Sequence, residues 1–165
     1  MIVDEHGQRS TEMNLSYQEL GDKHQFLHFK SLSRSHTLQG LTVIDLSHNA
    51  LTHLEGLFFP SVRKLSLAHN RISYFRDLPF MPELRDLDLR RNNILTAEDC
   101  AKYEVLERLT LRDNPIEYKH NYHERVQARA PMSLRFLDGE PITVEPYSFG
   151  LLMMLAFQQE DGDRF

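Results

Sequence analysis

Leu84-Arg85-Asp86-Leu87-Asp88-Leu89-Arg90-Arg91-Asn92-Asn93-Ile94 puts apolar residues first, fourth, sixth and last, with an asparagine ninth. Upstream, Leu41, Ile44, Leu46, Asn49 and Leu51 keep that spacing, as do Val62, Leu65, Leu67, Asn70 and Ile72. Downstream, Leu106, Leu109, Leu111, Asn114 and Ile116 repeat it, and successive copies begin 21, 22 and 22 residues apart. A leucine-containing chain produces one such stretch by chance. Four in register, each with asparagine at the same place, require a structural cause.

Alternate apolar residues such as Leu65 and Leu67 point to one face of a short strand, and Ser66 between them points to the other. A strand this short buries its leucines only by stacking on copies of itself. The product is a parallel ladder over a continuous core, each fully buried aliphatic contributing about 1.5–3 kcal/mol. The period lies within the roughly 20–29 residues of leucine-rich repeats. The expected fold is therefore an α/β solenoid, a right-handed leucine-rich-repeat superhelix of about five repeats plus caps. Its short parallel strands lie on the concave face, with helices or 3-10 turns on the convex one. Where the chain leaves each strand, backbone groups face inward without a ladder partner, and an amide side chain satisfies a donor and an acceptor together. Asn49, Asn70, Asn92 and Asn114 are accordingly structural rather than ligand-binding.

A solenoid needs caps, since a bare terminal repeat leaves its apolar face in water. Residues 1–40 read as an irregular N-terminal cap with a degenerate first repeat. Met13, Leu15 and Leu20 match Ile44, Leu46 and Leu51, with Gln18 in the asparagine place, and Phe26, Leu27, Phe29 and Leu32 form an apolar cluster beyond. Residues 41–117 are the regular repeats. Thr96-Ala97-Glu98-Asp99 resembles a helix start, predicting a convex helix through about Glu104. Residues 118–146 form a C-terminal cap. There Asn121 and Glu124 have capping-box spacing, Tyr122, Val126 and Ala130 make one apolar stripe, Pro131 ends the helix, and Leu134, Leu137, Asp138 and Gly139 supply half a repeat. Residues 147–165 are an apolar helix and an acidic tail. The run 149–157 is too apolar for a solvated tail and too short to span a bilayer, which takes about 20 residues. It is available for contacts with a partner or a second copy.

The 165 residues, 41% of them hydrophobic, suffice for one domain. Met1 to His6 lack the basic and apolar regions of a secretory signal, which predicts an intracellular protein. The single cysteine agrees, because no intramolecular disulfide is available. Cys100 lies in the apolar register, as a buried filler rather than a nucleophile, and Asn14-Leu15-Ser16 is a chance glycosylation match. Nine histidines show no metal-ligand spacing; His24 and His28 are four apart but lack a third ligand nearby. Phosphate loops, nucleophile elbows and paired catalytic acids are absent, so neither an enzyme nor a cofactor is expected.

Function is expected at the strand positions that do not enter the core: Thr42, Val43, Asp45, Ser47 and His48; Arg63, Lys64, Ser66, Ala68 and His69; Arg85, Asp86, Asp88, Arg90 and Arg91; Glu107, Arg108, Thr110, Arg112 and Asp113; with Arg135 and Phe136 from the cap. Bases exceed acids on this face, although the chain's formal net charge is −5. Cross-strand pairing of Lys64 with Asp86, and of Asp86 with Arg108, explains part of the pattern. The cluster Arg85, Arg90 and Arg91 points further, because arginine forks onto carboxylates and is enriched at protein interfaces. The candidate partner-binding residues are Asp45, His48, Arg63, Lys64, His69, Arg85, Asp86, Asp88, Arg90, Arg91, Arg108 and Arg112, gripping an element such as a helix of complementary charge. The overall acidity, with a sequence pI near 6.0, argues against a primary nucleic-acid binder.

The repeat length, the L-x-x-N-x-I turn and the cap from Asn114 to Gly139 resemble intracellular leucine-rich-repeat proteins with a C-terminal cap motif. Within that branch the chain is similar to the A′ family of the spliceosomal U2 small nuclear ribonucleoprotein. The matching features are overall length, Glu12-Met13-Asn14-Leu15 before an irregular connection, and Leu111-Arg112-Asp113-Asn114-Pro115 leading into Lys119, His120, Tyr122 and Val126. The resemblance implies a nuclear protein in pre-mRNA splicing. Its concave face would hold the first helix of an RRM-containing, B″-like partner, contacts coming from Asp45, Lys64, Asp86, Arg91, Arg108 and neighbours, and U2 snRNA would be recognised mainly through that partner, with no membrane involved. The ending Leu137-Asp138-Gly139 is shared with other capped relatives, and the insertion before Leu41 is long. They keep a second reading open, a cytoplasmic or ciliary adaptor or regulator of type-1 protein phosphatase or dynein.

Overall fold

The structure is a computed structural model and describes residues 11–21, 27, 31 and 40–142. Seven short strands form one sheet in chain order: β1 (Glu12–Asn14), β2 (Val43–Asp45), β3 (Lys64–Ser66), β4 (Asp86–Asp88), β5 (Arg108–Thr110), β6 (Phe136–Leu137) and β7 (Glu140–Pro141). β1 to β6 are parallel, and β7 turns back antiparallel on β6. Met13, Ile44, Leu65, Leu87, Leu109 and Leu137 pair in one inward row. The degenerate first repeat thus pairs in the register its apolar spacing implied. The fold is a leucine-rich-repeat α/β solenoid.

Behind the strands run 3-10 turns at Phe75–Asp77, Cys100–Lys102 and Pro115–Tyr118, and the cap adds a helix at Tyr122–Gln127. Ile44, Leu46, Leu65, Leu67, Leu87, Leu89, Leu109 and Leu111 are all at most 1% exposed. Phe59, Met81 and Tyr103 are just as buried and were not singled out above. Each stands three residues before a repeat start (Val62, Leu84, Leu106), so a further period of apolar residues was present in the sequence. The Tyr103 hydroxyl donates to the Pro79 carbonyl at 2.9 Å, which satisfies its polar end inside the core.

The asparagines form the hydrogen-bond ladder behind the strand ends. Asn92 Nδ2 donates to the Leu67 and Leu89 carbonyls (2.8 and 2.9 Å), and its Oδ1 accepts from Ile72 N at 2.9 Å. Asn70 and Asn114 make the equivalent contacts one repeat away. Asn49 reaches into the degenerate repeat, its Oδ1 accepting from Gln18 N and Leu20 N. Gln18 takes the asparagine's position and keeps only its local contact, Nε2 donating to the Ser16 carbonyl at 3.2 Å.

Two helix expectations are corrected. The convex side of the third repeat has no α-helix from Thr96 to Glu104, only the Cys100–Lys102 turn, and Asp99 before it sits at φ 64°. Cys100, Tyr103 and Leu106 all have to point inward, and a 22-residue repeat leaves too little chain for regular helix between them. The cap helix does form over Tyr122 and Val126, but without a capping box. Asn121 is left-handed at φ 56° with no side-chain cap bond, and its carbonyl accepts from Arg125 N instead.

The C-terminal closure rests on Asp138. Leu46, Leu67 and Leu89 each donate their N–H to a backbone carbonyl of the next strand, at Ser66, Asp88 and Thr110. Leu111 N donates instead to the Asp138 carboxylate at 2.7 Å, and the other carboxylate oxygen accepts from the Tyr122 hydroxyl at 2.7 Å. A side chain thus replaces the missing carbonyl, and the chain bends back through Asp138 and Gly139, both at positive φ, into β7. The apolar 149–157 run, the 160–163 acidic stretch, Phe26, Phe29, Leu32, His24 and His28 lie outside the described residues.

Candidate functional site

The open face of the sheet is organised in rows, because every repeat presents the same positions about 4.8 Å from the last. Thr42, Arg63, Arg85, Glu107 and Arg135 occupy the row at the strand entry, each N–H donating to the carbonyl of the row's member one repeat earlier, Thr11 in the case of Thr42. Val43, Lys64, Asp86, Arg108 and Phe136 pair in the next, and Asn14, Asp45, Ser66, Asp88 and Thr110 in the third. The candidate side chains are thereby brought onto one surface. Ser47 and Ala68, read above as part of it, are buried at 8% and 5% exposure. The chain is already leaving the strand there, so these small side chains no longer stand out from the pleat.

Charge on this face is largely answered within it. Lys64 Nζ lies 3.9 Å from Asp86 Oδ2, Arg85 pairs with Glu107, and Arg91 Nε donates to Asp113 Oδ2 at 3.0 Å. Asp88 accepts from the Arg90 guanidinium at 2.8 and 2.6 Å and from the Arg90 backbone N–H at 3.0 Å. That bond raises the Arg90 pKa, so this guanidinium is held as well as charged. Asp45 turns its carboxylate onto Ser47 N at 2.8 Å. Arg108 lies 5.1 Å over the Phe136 ring, and Arg112 Nη2 donates to the Asp138 carbonyl at 3.0 Å. Arg63, Arg108, Arg112 and Arg135 have no carboxylate of a described residue within 4.0 Å. Three of these four belong to the C-terminal end, so the basic excess is graded along the solenoid. Exposed pairs of this kind contribute about 0–1 kcal/mol each. The fold scarcely depends on them.

Where the strands end, Tyr17, His48, His69, Arg91 and Asp113 form a fourth row in which all five residues have φ between 54° and 58°. None is glycine, although the left-handed region costs an ordinary residue about 1–2 kcal/mol. Tyr17 stacks on His48 at 4.2 Å between ring centroids, and His48 on His69 at 4.0 Å. Partial burial, then the proximity of His48, Arg91 and Arg90, lowers the His69 pKa, Asp88 opposing. Spacing alone did not reveal this stack. Its signal was an aromatic or imidazole residue one position before each of Gln18, Asn49 and Asn70.

Two ionisable side chains lie buried or half-buried away from this face, Cys100 and Lys102. Burial pushes the Cys100 thiol up to about 12, which leaves it protonated and inert. Lys102 is half-buried with its ammonium on the Phe75 and Leu78 carbonyls, where it closes the end of the preceding 3-10 turn. Among the described residues no group of three or more His, Cys, Asp or Glu is placed to hold a metal ion, and no helix is long and apolar enough to cross a membrane.

No protein-family model matches the chain. Over 105 residues it is 34% identical to the U2 small nuclear ribonucleoprotein A′ of Aspergillus fumigatus, which covers 60% of this chain and 41% of that protein. One chain of the crystal structure of the Drosophila melanogaster SNF/U2A′ complex superposes with a TM-score of 0.67 at 22% identity, over 98% of this chain and 91% of that one. The chain is similar to the A′ protein of the U2 small nuclear ribonucleoprotein, and its fold is that of a leucine-rich-repeat protein. Over 107 residues it is also 35% identical to the acidic leucine-rich nuclear phosphoprotein 32 family member A of Drosophila melanogaster, covering 62% of this chain and 40% of that protein. It spans about two fifths of the length of these two curated relatives, and at 22% identity the structural likeness is one of fold.

Proposed function

We propose that the chain is a non-catalytic scaffold that holds an RRM-containing partner on its concave face and so supports U2 snRNA recognition in pre-mRNA splicing. The observation that carries this reading is the open, charged face of a single curved sheet in a chain similar to U2 small nuclear ribonucleoprotein A′. The Drosophila protein superposed above was crystallised in complex with SNF. The binding surface is formed by Asp45, His48, Arg63, Lys64, His69, Arg85, Asp86, Asp88, Arg90, Arg91, Arg108 and Arg112, and a partner helix would lie across the rows with its acidic end toward Arg108 and Arg112. RNA is bound mainly through the partner, since the chain is acidic overall. Residues 41–117 carry the contact, 118–146 close the array, and 1–40 and 147–165 flank it. The proposed location is the nucleus, as the printed names of both curated relatives indicate for those proteins.

The test is affinity purification of the tagged full chain from its own cells, with protein and RNA both identified. An RRM protein and U2 snRNA are expected together, and both should be lost when Arg85 and Arg108 are changed to Glu. Recovery of a phosphatase or dynein subunits in their place would overturn the reading.

A further inference from the structure

Behind the open sheet face, the chain returns from each strand to the next through connections whose residues alternate inward and outward. Leu57 and Phe59 are buried with Phe58 exposed between them, and buried Met81 follows exposed Phe80 in the same way. Phe59 N donates to the Phe80 carbonyl at 3.1 Å and Phe80 N to the Leu57 carbonyl at 3.2 Å, so the two connections run side by side in register. Their outward rings stack at 5.7 Å between centroids and 14° between planes, although Phe58 is 52% and Phe80 58% exposed. Single exposed apolar side chains are ordinary, whereas two held in contact make a patch. The fold does not require an aromatic residue there, since Lys102 stands at the same place before buried Tyr103.

The surroundings of the pair are acidic. The connections 52–61, 73–83 and 95–105 carry Glu55, Asp77, Glu83, Glu98, Asp99 and Glu104 against Arg76 and Lys102. No Lys, Arg or His of a described residue lies within 4.0 Å of any of these carboxylates. Both bases are engaged otherwise, Arg76 lying 4.3 Å over the Tyr74 ring and the Lys102 ammonium on the Phe75 and Leu78 carbonyls. Glu55 stands three residues before Phe58 and Glu83 three after Phe80, so each ring has a carboxylate close by in sequence. Such a surface repels phosphate backbones and anionic lipid and attracts cations, among which aromatic rings favour the planar guanidinium. We propose that Phe58, Phe80 and the carboxylates around them form a docking surface for an arginine-rich segment of a partner protein, its guanidinium groups lying on the rings and pairing with Glu55 and Glu83. The surface is behind the sheet. It leaves the concave face open to a second partner and does not depend on the splicing role proposed for that face.

The full chain is titrated with two fluorescein-labelled peptides of equal length and charge, one alternating arginine with glycine and the other lysine with glycine. The arginine peptide is expected to bind more tightly, and F58A/F80A to weaken it about fivefold or more. Binding should vanish in about 1 M salt, where the screening length is about 3 Å. Amide shifts in 15N-labelled protein should centre on Phe58, Phe80 and Glu83. F58A/F80A should keep the parent's unfolding midpoint, because both rings are exposed, and E55Q/E83Q, which leaves the rings in place, should weaken the peptide as well. Unchanged affinity in either variant overturns the proposal, as do shifts confined to Asp86, Asp88 and Glu107, which place the cations on the concave face. A parent that sediments as a dimer while F58A/F80A is monomeric overturns it too, and assigns the patch to a second copy.

Discussion

Asn92 holds four backbone groups from two repeats and is 5% exposed. Asn92→Ala leaves buried donors and acceptors without partners, at a cost of about 2–4 kcal/mol in urea unfolding. Its exposed neighbour gives the control, Asn93→Ala changing stability by less than about 0.5 kcal/mol. His69 provides a second residue-scale prediction. Its folded pKa lies below 6.5, so the folded chain binds fewer protons than the unfolded one as pH falls through and below that value. The neutral ring's contribution is complete above the unfolded pKa and is lost as pH drops toward the folded one. The unfolding midpoint of the parent should therefore fall more between pH 7 and pH 5 than that of His69→Gln. Equal falls would remove His69 from the pH response.

At the scale of elements, stability depends on what ends the stack. Asp138→Ala removes the acceptor of both Leu111 N and the Tyr122 hydroxyl. The expected loss is about 1–3 kcal/mol, with faster amide exchange at Leu111 and in the Tyr122–Gln127 helix than in β3. Asp138→Asn retains an oxygen for Leu111 N and should recover part of that loss. The repeats, the inward rows and the cap stripe of Tyr122 and Val126 were legible in the sequence because periodic burial leaves a periodic pattern. The expected helix after Thr96 was not borne out, since local capping signals carry little weight against Cys100, Tyr103 and Leu106 being drawn into the core. Asp138 was legible as part of a closing motif, but its stand-in for a backbone carbonyl depends on Leu111, which only folding brings beside it.

At the scale of the whole molecule, Arg108, Arg112 and Arg135 at the C-terminal end of the concave face have no carboxylate of a described residue within 4.0 Å. Arg85→Glu with Arg108→Glu should weaken binding of an RRM partner at least about tenfold, with a smaller effect at high salt. The urea midpoint should move little, because the charges are exposed and contribute about 0–1 kcal/mol each to the fold. Unchanged affinity, measured by titration calorimetry on the folded double variant, would place the partner elsewhere. The candidate rows were readable from register alone, since period-2 alternation dictates which residues leave the core. Which acid answers which base was only partly readable. Lys64 with Asp86 follows from register, whereas Arg90 turns back on Asp88 of its own strand.

By itself the sequence determined the solenoid, the strand register, the asparagine ladder and most of the side chains that stand on the open face of the sheet, because each follows from a short-range spacing repeated along the chain. Tertiary structure alone decided the choice of a 3-10 turn over a helix behind the third repeat, the burial of Ser47 and Ala68, the left-handed stack of Tyr17, His48 and His69, and the Asp138 closure. Each of these joins residues from different repeats or from a repeat and the cap, and the energy that places them is that of packing, which a linear spacing does not record.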